Sequence, residues 1–401
     1  MSLNHAQTEA VAHNKGPCMV LAGPGSGKTL TIAKRIEYLI MKHKVRPEEI
    51  LVITFTKYAA WEMKNRTRSI CGPSSYAVTF GTFHGIYYGI LKWAYRLNQS
   101  NLLSDEEKYR ILREILPGID WDQEPEADEE KDYLQELAIE IGNVKNNCMD
   151  IEEYEPVKYT TEKFRKLYRT YEETKKKYRK IDFEDMLIQC RDLFMKRPDI
   201  LKKWQEKFQY ILVDEFQDVN QAQYDVVRML AAPQDNLFVV GDDDQSVYGF
   251  RGAKPGIMKE FMKDYPKARQ ILLDVNYRSS GYIVKGALRV IGNNKIRFEK
   301  KIEAFRKPDE TVHVQEVKDP VQEAEYVLER IREYREKGVS YTEMAVLYRT
   351  NVDARAMSEL MTEYQIPFVM KEHLNNIYEH FIALDMISYL RLSQGEYDRK
   401  Y

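Results

Sequence analysis

The sequence predicts an α/β fold: a parallel sheet covered by helices, interrupted by an all-helical insertion and followed by part of a second α/β unit. Three observations carry this reading. Ala22-Gly-Pro-Gly-Ser-Gly-Lys-Thr29 joins an apolar run at residues 19–21 to a helical pattern at residues 30–40. Short apolar runs alternate with helical patterns up to residue 89, the rhythm of a parallel sheet. Between residues 90 and 207 that rhythm gives way to long helical patterns alone.

In chain order, residues 51–55 read as a buried strand, 57–70 as a helix, 77–80 as a strand, and His84 opens another helix. Helical patterns follow at residues 132–141 and 161–178, separated from the preceding segment by an acidic, proline-interrupted loop at residues 121–130. The α/β rhythm resumes with short strands at residues 210–213 and 237–240, each ending in acidic residues. After Asp274 a second unit is expected, with strands at residues 312–314 and 344–348 and an amphipathic helix at 321–336 between them. A final helical pattern covers residues 383–392. This second unit has too few strands to close a sheet of its own.

The bulk properties set limits. With 401 residues the chain can form two or three domains. Its 61 Lys+Arg nearly cancel 63 Asp+Glu, for a formal charge of −2, so any nucleic-acid surface must be local. Cys18, Cys71, Cys148 and Cys190 are scattered, which excludes a zinc-knuckle spacing and a disulfide framework. No apolar run approaches the ~20 residues of a membrane helix. A cytoplasmic protein without membrane contact is expected.

The glycine-rich segment is a phosphate-binding loop by its residues and its place between strand and helix. Glycines let successive backbone N–H groups converge on an anion, and the helix N-terminus adds partial positive charge. Gly23, Gly25, Ser26 and Gly27 shape this cradle. Lys28 would reach the β- and γ-phosphates and Thr29 would help hold Mg²⁺. Ala22 stands where such loops usually begin with glycine. The plainer alternative is a glycine-rich turn with a solvated lysine.

Asp214-Glu215 follows the strand at 210–213. Behind a phosphate loop, Asp214 suits the metal and Glu215 the activation of the attacking water. A solvated strand end is the alternative. Gly241-Asp-Asp-Asp-Gln245 should lie beside this pair; its spacing does not match a calcium loop, and Gln245 reads as an amide touching the γ-phosphate or the water. Tyr248, Phe250 and Arg251 follow, an aromatic and cationic set suited to stacking single-stranded bases, or else to core packing.

Leu3-Asn-His-Ala-Gln7, the phosphate loop, Thr54-Phe-Thr56, Thr82-Phe-His84, Val213-Asp-Glu-Phe-Gln-Asp218, the segment from Gly241 to Ala253 and Asn276-Tyr-Arg-Ser279 occur in this order. With Asp182-Phe-Glu-Asp-Met186 and Ala345-Val-Leu-Tyr-Arg-Thr350, they resemble the UvrD/Rep/PcrA family of superfamily 1 DNA helicases from about Leu3 to the last residues. The family also tolerates alanine at the position of Ala22. The resemblance implies RecA-like domains: the first from residues 1–89 and 208–273, with the insertion at 90–207, the second beginning at 274–376, and the start of its own insertion at 377–401. It implies that Gln7 reads adenine, Tyr277 stacks on it, Arg278 reaches the γ-phosphate, and Gln245 senses that phosphate. Phe55, His84, Phe250 and Arg251 would touch single-stranded DNA.

The expected function is an ATP- and Mg²⁺-dependent 3′–5′ DNA helicase acting on single strands and duplex junctions, alongside repair or replication proteins. Two later motifs of the family are not found before Tyr401, which points to an N-terminal part of a longer helicase. Leu30 stands where many members carry arginine, so base selectivity is expected to be looser. An ATP-gated DNA-binding module without efficient turnover is the main alternative. A small-molecule kinase fits less well, because Glu215 beside Asp214 suits water activation.

Overall fold

The computed structural model describes residues 3–119, 130–246, 254, 256–295, 297–307, 311–350, 352–370 and 381–394. The chain divides into two compact units, Met1–Val312 and His313–Tyr401.

The first unit is built on a six-stranded sheet: β1 (Cys18–Ala22), β2 (Ile50–Thr54), β3 (Thr79–Thr82), β4 (Tyr210–Val213), β5 (Leu237–Gly241) and β6 (Arg269–Leu273). Their spatial order is β3-β2-β4-β5-β1-β6, and every neighbouring pair is parallel. Because side chains alternate along a strand, the sheet separates two apolar cores. Met19, Leu21, Leu51, Ile53, Ile211, Val213, Leu237 and Val239 face one. Cys18, Val20, Ala22, Ile50, Val52, Tyr210, Leu212, Phe238 and Val240 face the other. Strands covered on both faces read as continuous apolar runs, which is why these four are visible in sequence.

Helices close both faces. Before the insertion come α1 (His5–Ala12), α2 (Lys28–Met41), α3 (Lys57–Cys71) and α4 (Phe83–Tyr95), and the insertion itself supplies α5 (Asp105–Ile115), α6 (Glu130–Asn146), α7 (Thr161–Tyr178), α8 (Phe183–Lys196) and α9 (Pro198–Lys207). After β4 come α10 (Gln221–Ala231) and, after β5, α11 (Ile257–Asp264). Ile32, Ile36 and Leu39 of α2 pack on one side of the sheet; Tyr87 of α4 and Val226 and Leu230 of α10 pack on the other.

The insertion has a core of its own from Leu112, Leu137, Ile141, Phe164, Leu167 and Tyr171. Reciprocal capping boxes fix two of its helix starts, Ser104 with Glu107 at α5 and Asp182 with Asp185 at α8. The face of α8 carrying Met186, Leu187, Cys190 and Phe194 joins the sheet core, so α8 ties the insertion to the α/β body. Within the insertion, the buried Lys145 and Lys175 ammonium groups both pair with Glu172, Asp182 and Asp185.

β6 was not among the strands expected from sequence. It is an edge strand whose Arg269 and Gln270 are exposed, leaving only three apolar residues to signal it. Beyond it, β7 (Val275–Ser280) and β8 (Glu303–Arg306) form a separate two-stranded parallel sheet, with α12 (Gly281–Ile291) between them.

The second unit contains α13 (Pro320–Glu336), α14 (Ala354–Glu363) and α15 (Phe381–Ser393). Leu328 and Ile331 of α13 pack against Met361 of α14 and the following Ile366. The expected strands at residues 312–314 and 344–348 do not form. Apolar runs become strands only where a neighbouring strand supplies the ladder. Among the described residues neither run has one, and Val314 and Leu347 are 93% and 94% exposed. All four cysteines are free thiols.

Candidate nucleotide site and nucleic-acid groove

Parallel order places the carboxyl ends of β1, β5, β4 and β2 side by side, the usual ligand edge of such sheets. Ala22 is still a β1 residue and is fully buried, so its methyl group is accommodated in the core rather than in the loop. Gly25 (φ +66) and Gly27 (φ +84) adopt the left-handed backbone that only glycine takes without strain. Gly27 is also the residue before α2, which starts at Lys28. The Ser26 hydroxyl donates back to the Gly23 carbonyl at 2.6 Å, closing the turn. Thr29 follows Lys28 in the first turn of α2.

Gln7 sits behind this loop. Its Oε1 accepts from the Asn4 N–H (3.0 Å) and its Nε2 donates to the Ser26 carbonyl (2.9 Å). One lone pair and one N–H of the amide stay uncommitted in these contacts.

Lys28 Nζ lies 3.0 Å from Glu215 Oε2 and donates to Gln245 Oε1 at 3.5 Å. Glu215 holds a left-handed backbone (φ 50, ψ 46), a strained state for a non-glycine residue of the kind found at functional sites. Its N–H donates to Asp214 Oδ1 at 3.0 Å. Gln217, to which the sequence reading assigned no role, joins two strand ends: Nε2 donates to Glu215 Oε2 (2.9 Å), and Oε1 accepts from the Asp242 N–H (3.0 Å). A Cβ on Gly241 would lie 2.7 Å from Gln217 Oε1, so glycine there admits the amide.

Asn276, Tyr277 and Arg278 meet the loop from the other side. The Tyr277 N–H donates to the Gly25 carbonyl at 3.0 Å, and Asn4 Nδ2 donates to the Tyr277 hydroxyl at 2.9 Å. Asn276 Oδ1 accepts from the N–H groups of Arg278 and Ser279, both at 2.8 Å, and so shapes this turn. A Cβ on Gly25 would lie 2.6 Å from Asn276 Oδ1 and 2.7 Å from Arg278 Cβ. Arg278 is exposed at this rim. Asn276 was also without a role in the sequence reading; its place at the head of Asn276-Tyr-Arg-Ser279 was the signal available.

Phe55 and His84 share a second feature. Phe55 lies just past β2 and is half-buried, not a core residue of the strand. With His84 and Phe183 it lines a cavity of about 420 Å³, where Asn143 and Asn146 of α6 supply polar groups. The His84 ring meets Phe183 edge-on at 5.7 Å. Burial favours the neutral ring and lowers the His84 pKa, with the nearby Glu184 carboxylate opposing. Phe250 and Arg251, with Tyr248, lie outside the described residues.

Residues 3–266 match the family described as the UvrD/REP helicase N-terminal domain. The chain belongs to the UvrD/Rep helicase family. Residues 271–400 match the UvrD-like helicase C-terminal domain. Among curated UvrD/Rep relatives, YjcD of Bacillus subtilis (strain 168), whose name as an ATP-dependent DNA helicase is itself provisional, is 38% identical over 409 residues. That alignment covers 99% of this chain and 52% of YjcD. The ATP-dependent DNA helicase PcrA of Staphylococcus aureus (strain Mu50) is 34% identical over 404 residues, 99% of this chain and 54% of PcrA. The chain thus spans about half the length of these relatives. No described helix is long and apolar enough to cross a membrane.

The electrostatics of this UvrD/Rep site fit a cation. Burial, and then the neighbouring Glu215 carboxylate, push the Asp214 carboxyl up to about 7, with Lys28 opposing. A divalent ion held by Asp214 and Thr29 would relieve that cost. The Asp242–Asp244 cluster is different: three carboxylates close enough to hold a metal already share an ammonium group, Lys300.

Proposed function

We propose that this chain is the nucleotide-binding half of an ATP-dependent 3′–5′ DNA helicase, with ATP seated between the phosphate loop and the Asn276–Arg278 turn. The single observation that supports this reading most is the convergence of Lys28, Glu215 and Gln245 within hydrogen-bonding distance, beside a loop already contacted by Tyr277. Lys28 and the loop N–H groups would hold the phosphates. Glu215 would take a proton from the attacking water, and Arg278 would face the γ-phosphate from the rim. Bound Mg²⁺ would neutralise phosphate charge, with Asp214 and Thr29 as its protein ligands. Gln7 and Tyr277 would frame the base.

Single-stranded DNA would run past Phe55 and His84, aromatic residues that line a cavity with amide neighbours. Stacking on such faces is tolerant of sequence, as a translocating protein requires. Direction and unwinding rest on the family alone.

The test is strand displacement on duplexes carrying a 3′ or a 5′ single-stranded tail. ATP-dependent displacement confined to 3′-tailed substrate is the expected result. Oligonucleotide binding that responds to ATP, without displacement of either substrate, would replace the helicase reading with an ATP-gated binding module.

A further inference from the structure

The acidic run Asp242-Asp-Asp244 has no role in the chemistry above, yet it is closed from one side by residues 297–300. Lys300 Nζ donates to Asp242 Oδ1 at 2.5 Å, to Asp243 Oδ1, and lies 2.8 Å from Asp244 Oδ2. An ammonium group has three N–H donors, so these three carboxylates use all of them. Arg297 makes a two-pronged contact with Asp244, and the Phe298 N–H donates to Asp243 Oδ2 at 2.7 Å. The Lys300 side chain is 1% exposed. A charge buried this completely is retained only with its partners in place.

The Asp242 carboxylate divides its two oxygens. Oδ1 takes Lys300; Oδ2 accepts from Gln245 Nε2 at 2.7 Å. That second bond turns the Gln245 carbonyl toward Lys28 Nζ. Two residues beyond Lys300, Ile302 lies against the phosphate loop, where a Cβ on Gly23 would come within 2.7 Å of its Cδ1. One short segment therefore touches both the carboxylate that holds Gln245 and the phosphate loop.

We propose that Lys300 is a positioning residue for recognition of the terminal phosphate: by fixing Asp242 it sets the Gln245 amide against Lys28, and so makes the site distinguish ATP from ADP. This rests on the reading of the loop as a nucleotide site and of Gln245 as its sensor. A merely structural Lys300 would affect both nucleotides alike.

The experiment is equilibrium binding of fluorescent ADP and of a non-hydrolysable fluorescent ATP analogue to the 401-residue chain. The variants are Gln245→Ala, Lys300→Met, Asp242→Asn and the double variant Lys300→Met/Gln245→Ala. Each single variant is expected to weaken the ATP analogue roughly tenfold, the size of one charge-assisted hydrogen bond, while ADP affinity holds. The double variant should be no weaker than Gln245→Ala, because one acts through the other. Asp242→Asn carries the test if Lys300→Met does not fold. Equal losses for ADP and the analogue, or additive losses in the double variant, would overturn the proposal. If Gln245→Ala discriminates and Lys300→Met does not, only the role of Lys300 fails. If the unaltered chain binds neither nucleotide, the site reading fails with it.

Discussion

Lys28 and Glu215 form a 3.0 Å ion pair across the carboxyl edge of the sheet, joining the start of α2 to the end of β4. Their side chains are 13% and 36% exposed, so the pair is reachable from the site yet partly shielded from solvent. The cation proposed to bind phosphate and the carboxylate proposed to activate water thus pair with each other. Phosphates entering the loop would compete for Lys28 and release Glu215. Glu215→Gln is accordingly expected to keep ATP binding and to lower hydrolysis by about 10²–10⁴-fold, the usual contribution of a general base. Binding titrations beside single-turnover hydrolysis check this, and a parallel loss of affinity would count against the assignment.

Gly25→Ala should be costly in two ways. Its φ of +66 disfavours any side chain, by about 1–2 kcal/mol, and the added methyl would collide with Asn276 and Arg278. Denaturant unfolding should register the strain. Nucleotide affinity should fall further than stability alone explains, because the Asn276–Arg278 turn is displaced.

Phe55→Ala should weaken single-stranded oligonucleotide binding by about 1–3 kcal/mol, one base stack, and leave nucleotide affinity intact. Fluorescence anisotropy with a labelled oligonucleotide reads this directly. Unchanged affinity would remove Phe55 from the DNA path.

His84 makes a pH prediction. Its folded pKa lies below the ordinary 6.5, chiefly through burial. Below pH 6.5 the unfolded chain therefore takes up a proton that the folded chain resists, and stability is lost as pH falls from there toward the folded value. Above it the contribution is complete. His84→Gln should flatten this part of the stability profile, as measured by denaturant unfolding across the acid range.

The insertion carries a different liability. Lys145 and Lys175 share three carboxylates in a buried cluster. Lys145→Met should destabilise the insertion by about 3–5 kcal/mol, since removing one partner strands buried charge. Thermal unfolding that stays unchanged would show the cluster to be better hydrated than its burial implies.

What was legible in the sequence follows from how each element earns its stability. β1, β2, β4 and β5 are buried on both faces, so their residues are nearly all apolar and the strands declare themselves. The insertion's helices at 132–141 and 161–178 showed as long helical patterns, whereas the capped starts at Ser104 and Asp182 went unread. β6 hid because an edge strand keeps polar residues, and residues 312–314 and 344–348 misled because an apolar run says nothing about whether a neighbour exists. In the site, charged and glycine-rich motifs were visible one segment at a time. The roles of Gln217 and Lys300 were not, because both reach distant segments, and Asn276 stood in a visible motif whose turn-shaping bonds only the structure shows. Lys300 meets Asp242 across 58 positions, a pairing that no local pattern encodes.

The most direct test of the central claim is steady-state ATP hydrolysis by the 401-residue chain, with and without single-stranded oligonucleotide and with Lys28→Ala as the blank. The account predicts turnover that the oligonucleotide stimulates and that Lys28→Ala abolishes. Turnover that survives Lys28→Ala, or ATP bound and not hydrolysed with oligonucleotide present, would contradict it.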